Sequence, residues 1–122
     1  MSKPIHAPEL VAAIWLALSG QAFAHAHLVS ATPPVGGTVA TSPTELDLRF
    51  SEALNLKFSG VKVTGPDEAE LTLEEPMLMD DDTTFMAMIA SKLAPGTYSV
   101  EWHALSSDGH KTQGSYTFVV KP

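Results

Sequence analysis

The chain has 122 residues, five histidines, no cysteine and a formal net charge of −7. Without cysteine there are no disulfides, no thiolate metal sites and no cysteine nucleophile. An acidic surplus repels phosphate backbones and argues against nucleic acid as a partner, and the length suits one domain with a single core.

Residues 1–9 are a polar start whose only cation is Lys3, and residues 10–18 are continuously apolar. As a helix that run reaches roughly 13 Å, against about 30 Å of hydrocarbon, so it is too short to span a membrane. Ala22-Phe23-Ala24 then offers the small-x-small pattern cut by signal peptidase. The expectation is a secretory leader over residues 1–24, cleaved to release an exported domain over residues 25–122. A retained amphiphilic anchor is the alternative, and it lacks stop-transfer charges. Lys3 and Glu9 cancel, so the domain keeps the whole charge of −7, while His6 leaves with the leader.

From His25 the pattern changes to short strands between turns. Residues 25–30 alternate and open the first strand, with His25 and His27 on one face. Residues 32–37 form a proline- and glycine-rich turn. Residues 45–52 alternate most cleanly, with Leu46, Leu48 and Phe50 facing a core. Val61 and Val63 mark the next strand. Leu71 and Leu73 suggest another, ending at Pro76. Asp80-Asp81-Asp82 is a loop before a strand over residues 83–90. Tyr98, Val100, Trp102 and Ala104 share one face of the following strand. Residues 106–113 read as a polar loop, and residues 114–120 alternate again. About seven short strands with regular turn signals and no helical period predict an antiparallel sandwich or small barrel.

Two places carry chemistry. Cleavage after Ala24 would leave His25 with a free α-amine beside its imidazole, and those nitrogens can close a six-membered chelate on one metal ion. Asp108 and His110, two apart in a loop between strands, can point the same way. Three nitrogens and one carboxylate oxygen with no sulfur favour Cu(II), and zinc would prefer a tetrahedral set. The plainer reading is that Asp108-Gly109 is a turn with a solvated His110 beside it.

The stretch His25-Ala26-His27-Leu28-Val29-Ser30-Ala31-Thr32-Pro33-Pro34 resembles the mature start of CopC-type copper-binding proteins. Leu48-Arg49-Phe50-Ser51-Glu52 is similar too, as is Ala94-Pro95-Gly96-Thr97-Tyr98-Ser99-Val100-Glu101-Trp102. Ser106-Ser107-Asp108-Gly109-His110 and Gly114-Ser115-Tyr116-Thr117-Phe118 complete the set, in family order. The resemblance implies an all-β, Greek-key antiparallel β-sandwich or barrel, immunoglobulin-like and cupredoxin-like, located in the periplasm. It implies Cu(II) held by His25, Asp108 and His110. Glu52 then stands where relatives keep an acidic residue near the copper, suited to orienting a ligand, although an exposed strand-end carboxylate explains it equally well.

Some members carry a methionine-rich loop for Cu(I), but the corresponding residues 63–75 contain no methionine. Met77, Met79, Met86 and Met88 come later, in two alternating pairs. Thioethers suit Cu(I), yet alternating methionines on strands are expected to fill a core. His27 has a rival use, in which the free amine, two deprotonated amides and its imidazole wrap Cu(II). A paired first strand would already engage those amides, which leaves His27 as a neighbour or an auxiliary ligand. His103 is expected on the surface, and the acids between Asp67 and Asp82 on a solvated edge without the spacing of a calcium loop.

The first reading is a non-catalytic, monomeric copper-binding protein for copper resistance, handing its ion to an inner-membrane copper transport protein. The alternatives are a histidine-brace oxidative copper enzyme, whose open coordination position Asp108 would fill here, and a plain immunoglobulin-like interaction domain.

Overall fold

The computed structural model describes residues 25–122. The expected leader lies outside the described residues. Period-two alternation does most of the architectural work. In β3 (Glu45–Phe50) Leu46, Leu48 and Phe50 turn inward, and in β7 (Gly96–Leu105) so do Tyr98, Val100, Trp102 and Ala104. Each strand thus presents one apolar face, which must be covered by a second sheet.

Two four-stranded sheets supply that cover. The first has the order β1-β3-β6-β5, with β1 at Leu28–Thr32, β6 at Thr84–Met88 and β5 at Met77–Met79. The second has the order β2-β8-β7-β4, with β2 at Thr38–Val39, β8 at Lys111–Val120 and β4 at Gly60–Thr64. Between them Phe50 of β3 meets Trp102 of β7 edge to face at 5.0 Å, and within the second sheet Tyr98 stacks on its cross-strand neighbour Phe118 at 5.3 Å. The Tyr98 hydroxyl donates to the Ala94 carbonyl at 2.6 Å, four residues upstream. That contact resembles a tyrosine corner and fastens the start of β7.

The β-sandwich expectation holds, with differences of detail. Among the described residues there are eight strands rather than about seven, and β2 runs parallel to β8 instead of antiparallel. The first strand begins at Leu28 rather than His25, and the strand expected over residues 83–90 spans only Thr84–Met88. Leu71 and Leu73 do not form a strand. They lie in a segment held by isolated pairings, Thr64 with Glu70 and Leu73 with Ile89, and the edge strand is Met77–Met79 instead. The segment pairs first with β4 of the second sheet and then with the residues after β6 of the first, so it follows neither edge long enough for a continuous ladder.

The last strand starts at Lys111, three residues earlier than Gly114, because Lys111, Thr112 and Gln113 find backbone partners along β7. The predicted eight-residue polar loop therefore shrinks to residues 106–110. A ten-residue β7–β8 ladder carries that short loop at its tip, so the base of the loop is rigid.

Candidate metal centre

The loop at residues 106–110 is organised by Ser106, which is buried (2% exposed) and forms an isolated pairing with Leu54. Its amide donates to the His110 carbonyl at 2.9 Å, and the Gly109 amide donates to the Ser106 carbonyl at 2.9 Å. Gly109 has φ of +95°, a conformation that side-chain-bearing residues avoid. This turn is what brings Asp108 and His110 to the same side.

The Ser106 hydroxyl donates to Asp108 Oδ1. The same carboxylate oxygen lies 3.1 Å from His110 Nδ1, and both side chains are about half exposed. The hydrogen bond from Ser106, followed by contact with His110, holds the Asp108 carboxyl below the usual carboxylate range. Asp108 is therefore a standing anion at the tip of the ladder.

His25 reaches this pair from the segment that leads into β1 of the other sheet. Its ring meets that of His110 edge to face, with centroids 4.6 Å apart and planes at 80°. Ala26 is the reason it can: its methyl is fully buried (0% exposed) in the core, so His25 and His27 on either side must point outward. The segment is fixed again at Ser51, whose amide donates to the His27 carbonyl at 2.9 Å and whose Oγ accepts from the His27 amide at 3.0 Å.

His25, Asp108 and His110 thus come together from the three positions read in the sequence. His27 is adjacent but turned aside, with its Nδ1 near the His25 carbonyl at 3.2 Å and Ser51 Oγ at 3.3 Å. The His27 amide is engaged, as expected, but by a serine hydroxyl and not by a ladder carbonyl. Glu52 is exposed beside Ser51. His103 is exposed on the side of β7 opposite Trp102, over Gly60 and away from the centre.

The spacing suits metal ligation. Two donors about 2.0 Å from one ion stand roughly 2.8 Å apart in adjacent square-planar positions and roughly 3.3 Å apart in tetrahedral ones. The separation of 3.1 Å between Asp108 Oδ1 and His110 Nδ1 lies within that range. Among the described residues no three His, Cys, Asp or Glu side chains are close enough to enclose an ion unaided. A further donor from the chain itself would have to complete the set.

Two residues that position this centre were not singled out from sequence. Ser106 reads as ordinary loop polarity, and only its burial reveals that it holds Asp108. Ser51 looks like a strand end, and its pairing with His27 across the sheet has no local signature.

Comparison with known proteins gives the family and the fold. The family model for the CopC domain matches residues 28–121. Protein YobA of Escherichia coli K12 is 43% identical over 100 residues, covering 81% of each chain. Copper resistance protein C of Pseudomonas syringae pv. tomato is 39% identical over 110 residues, covering 85% of this chain and 86% of its own. The crystal structure of CopC from Methylosinus trichosporium OB3b superposes with a TM-score of 0.71 at 33% identity, covering 80% of this chain and 95% of that one.

Proposed function

Starting from the fact that the chain belongs to the CopC family, we propose that it is a copper-resistance protein that binds one Cu(II) ion at the His25, Asp108 and His110 centre. A relative named for copper resistance that matches over nearly its whole length supports copper as the cargo. The observation that carries the site assignment is the contact of the His25 ring with His110, while Asp108 stands 3.1 Å from His110 Nδ1.

In this proposal the chain is exported and cut after Ala24, and the freed His25 amine becomes the donor that the side chains lack. Amine and imidazole of His25, with His110 and the Asp108 carboxylate, form a sulfur-free tetragonal set, the kind that suits Cu(II). Ser106 keeps Asp108 charged and aimed. Glu52 and His27 flank the centre, where they orient ligands or supplement them.

The protein then acts by holding copper, not by turning over a substrate. With Asp108 in place, four donors leave little room for a reacting molecule. All three side chains are exposed at one end of the sandwich, so a second protein can reach the ion, consistent with delivery of copper from a periplasmic monomer to an inner-membrane copper transport protein.

The test is Cu(II) electron paramagnetic resonance on protein beginning at His25, on the same protein with one extra residue before His25, and on Asp108→Ala. The expected result is a single nitrogen-rich tetragonal signal that changes in both variants, with affinity falling at least about 100-fold in the extended form. An extended protein that binds as tightly as the trimmed one sinks the amine ligand. Mass spectrometry of the exported protein should give His25 as its first residue.

A further inference from the structure

The outermost strand of a sheet has one row of unpaired backbone groups, and an unguarded row is a template for a further strand. Among the described residues, three of the four sheet edges are guarded. β1 has a bulge between Leu28 and Ser30 and runs into Pro33. β4 is paired along its free side, where the Leu71 amide donates to the Val63 carbonyl at 2.8 Å. β5 is three residues long and follows Pro76. Its Met77 and Met79, with Met86 and Met88 of β6, turn outward and do not fill the core as their alternation predicts.

The fourth edge is open. β2 lies along β8 only where Thr38 and Val39 face Val119 and Val120, and the Gly36 amide reaches the Thr117 carbonyl at 2.7 Å. The β7–β8 register is unbroken, so the odd-numbered residues of β8 direct their backbone groups as Thr117 does, away from β7. The N–H and C=O groups of Lys111, Gln113 and Ser115 therefore line this edge, and among the described residues none has a partner. All three residues are exposed. From Lys111 to Ser115 the seat runs roughly 16 Å at strand rise, with no proline and no bulge to spoil it.

A side chain within the seat is incomplete as well. Thr112 is turned to the inner face, opposite buried Ala104, and its hydroxyl is buried with no hydrogen-bond partner among the described residues. Buried hydroxyls are nearly always paired, so this one calls for a neighbour. On the outer face Lys111 stands at one end of the seat, and Glu101 lies opposite Ser115 at the other. The seat therefore suits a strand with an acid facing Lys111, none facing Ser115, and a small polar side chain beside Thr112. Its Lys111 end adjoins His110.

We propose that the open edge of β8 is the docking seat for an extended segment of a second protein, which adds a strand in line with β2 and ends beside His110. Main-chain hydrogen bonds to Lys111, Gln113 and Ser115 hold the segment, and Lys111 and Glu101 set its register. The chain already uses this edge once, for β2, so the added strand extends an existing pairing. That the second protein is the one that accepts copper rests on the function proposed above. The edge itself does not.

The probe is an end-blocked seven-residue peptide of alternating threonine and serine with one terminal glutamate, and its control carries lysine in place of the glutamate. Amide hydrogen exchange is followed by NMR on copper-free protein beginning at His25, so failure of the copper centre would leave the readout untouched. Saturating peptide should slow the Lys111, Gln113 and Ser115 amides at least about tenfold, while Thr112 and Gly114, already paired to β7, hold steady. Gln113→Pro removes a donor at an edge position that accepts proline, and should weaken binding about tenfold. The lysine peptide should bind about threefold more weakly than the glutamate one. Lys111→Glu, which leaves the backbone intact, should reverse that preference. The proposal is overturned by unchanged exchange at the three amides, by protection along β1 or β5 instead, or by undiminished binding in Gln113→Pro. Protection that grows with protein concentration alone would also overturn it, by making a second copy the occupant.

Discussion

The His25 and His110 imidazoles meet edge to face, 4.6 Å between centroids, although one lies three residues ahead of β1 in the first sheet and the other closes the loop at the tip of the second. The sandwich brings together two residues from nearly opposite ends of the domain. His27, only two residues from His25, is held instead by Ser51 and the His25 carbonyl. Replacing His110 by Ala should therefore cost at least about 100-fold in Cu(II) affinity, more than the loss of an outer partner usually does. His27→Ala should change it by no more than about threefold. Competition titration against a Cu(II) chelator checks both, and a larger loss from His27→Ala than from His110→Ala would reverse the ligand assignment.

Ser106 is a positioning residue for the same centre. Ser106→Ala removes the donor to Asp108 and the acceptor that receives the His110 amide at 3.2 Å. The expected outcome is a roughly tenfold loss of Cu(II) affinity with an altered resonance signal. Stability should fall by about 1 kcal/mol, from one lost hydrogen bond. A variant that loses stability but keeps both affinity and signal would limit Ser106 to holding the loop.

Asp47 predicts a pH dependence of folding. Its carboxyl is raised from 3.8 to about 6, first by burial and then by Glu45 and Asp80. The folded state therefore holds this proton more tightly than the unfolded state does. The group's contribution is most favourable below about pH 4 and is lost as pH rises through 6. Asp47→Asn should remove that slope and stabilise the metal-free protein at pH 7.5 by roughly 1–2 kcal/mol. Melting of the variant and the wild type at pH 4.5 and 7.5 isolates the effect. Equal differences at both pH values would contradict it.

Gly114 lies opposite Trp102 in the β7–β8 ladder, and a Cβ there would sit 2.6 Å from Cζ2 and 2.8 Å from Cε2 of the indole. Trp102 is 9% exposed and packed against Phe50, so it has little room to move. Gly114→Ala should cost about 1–3 kcal/mol through overpacking. Trp102 is the one tryptophan in residues 25–122, so its emission in protein trimmed to begin at His25 reports the displacement directly. Unchanged emission and melting would show that the sheet relaxes there freely.

Much of this protein follows from local chemistry. Alternation at Leu46, Leu48 and Phe50, and again at Tyr98, Val100 and Trp102, names the strands and their inner faces, because a pleated chain turns successive side chains to opposite sides. The histidine after the small-x-small motif and the Asp-x-His loop are likewise visible as letters. Edges were less legible. Leu71 and Leu73 resemble a strand but find only isolated pairings, and Lys111 enters a strand because β7 offers partners, not because its own sequence demands one.

The amino-acid order by itself determined a two-faced β domain and the residue types of a nitrogen–oxygen metal centre. Only the tertiary structure decided which of them meet: that His25 and not His27 reaches His110, that a buried Ser106 holds Asp108, and that four methionines face out beside Asp47. The physical reason is range. Strand alternation is a property of neighbouring residues, whereas a centre joining two sheets, or a row running across strands, depends on register and on which face the other sheet covers.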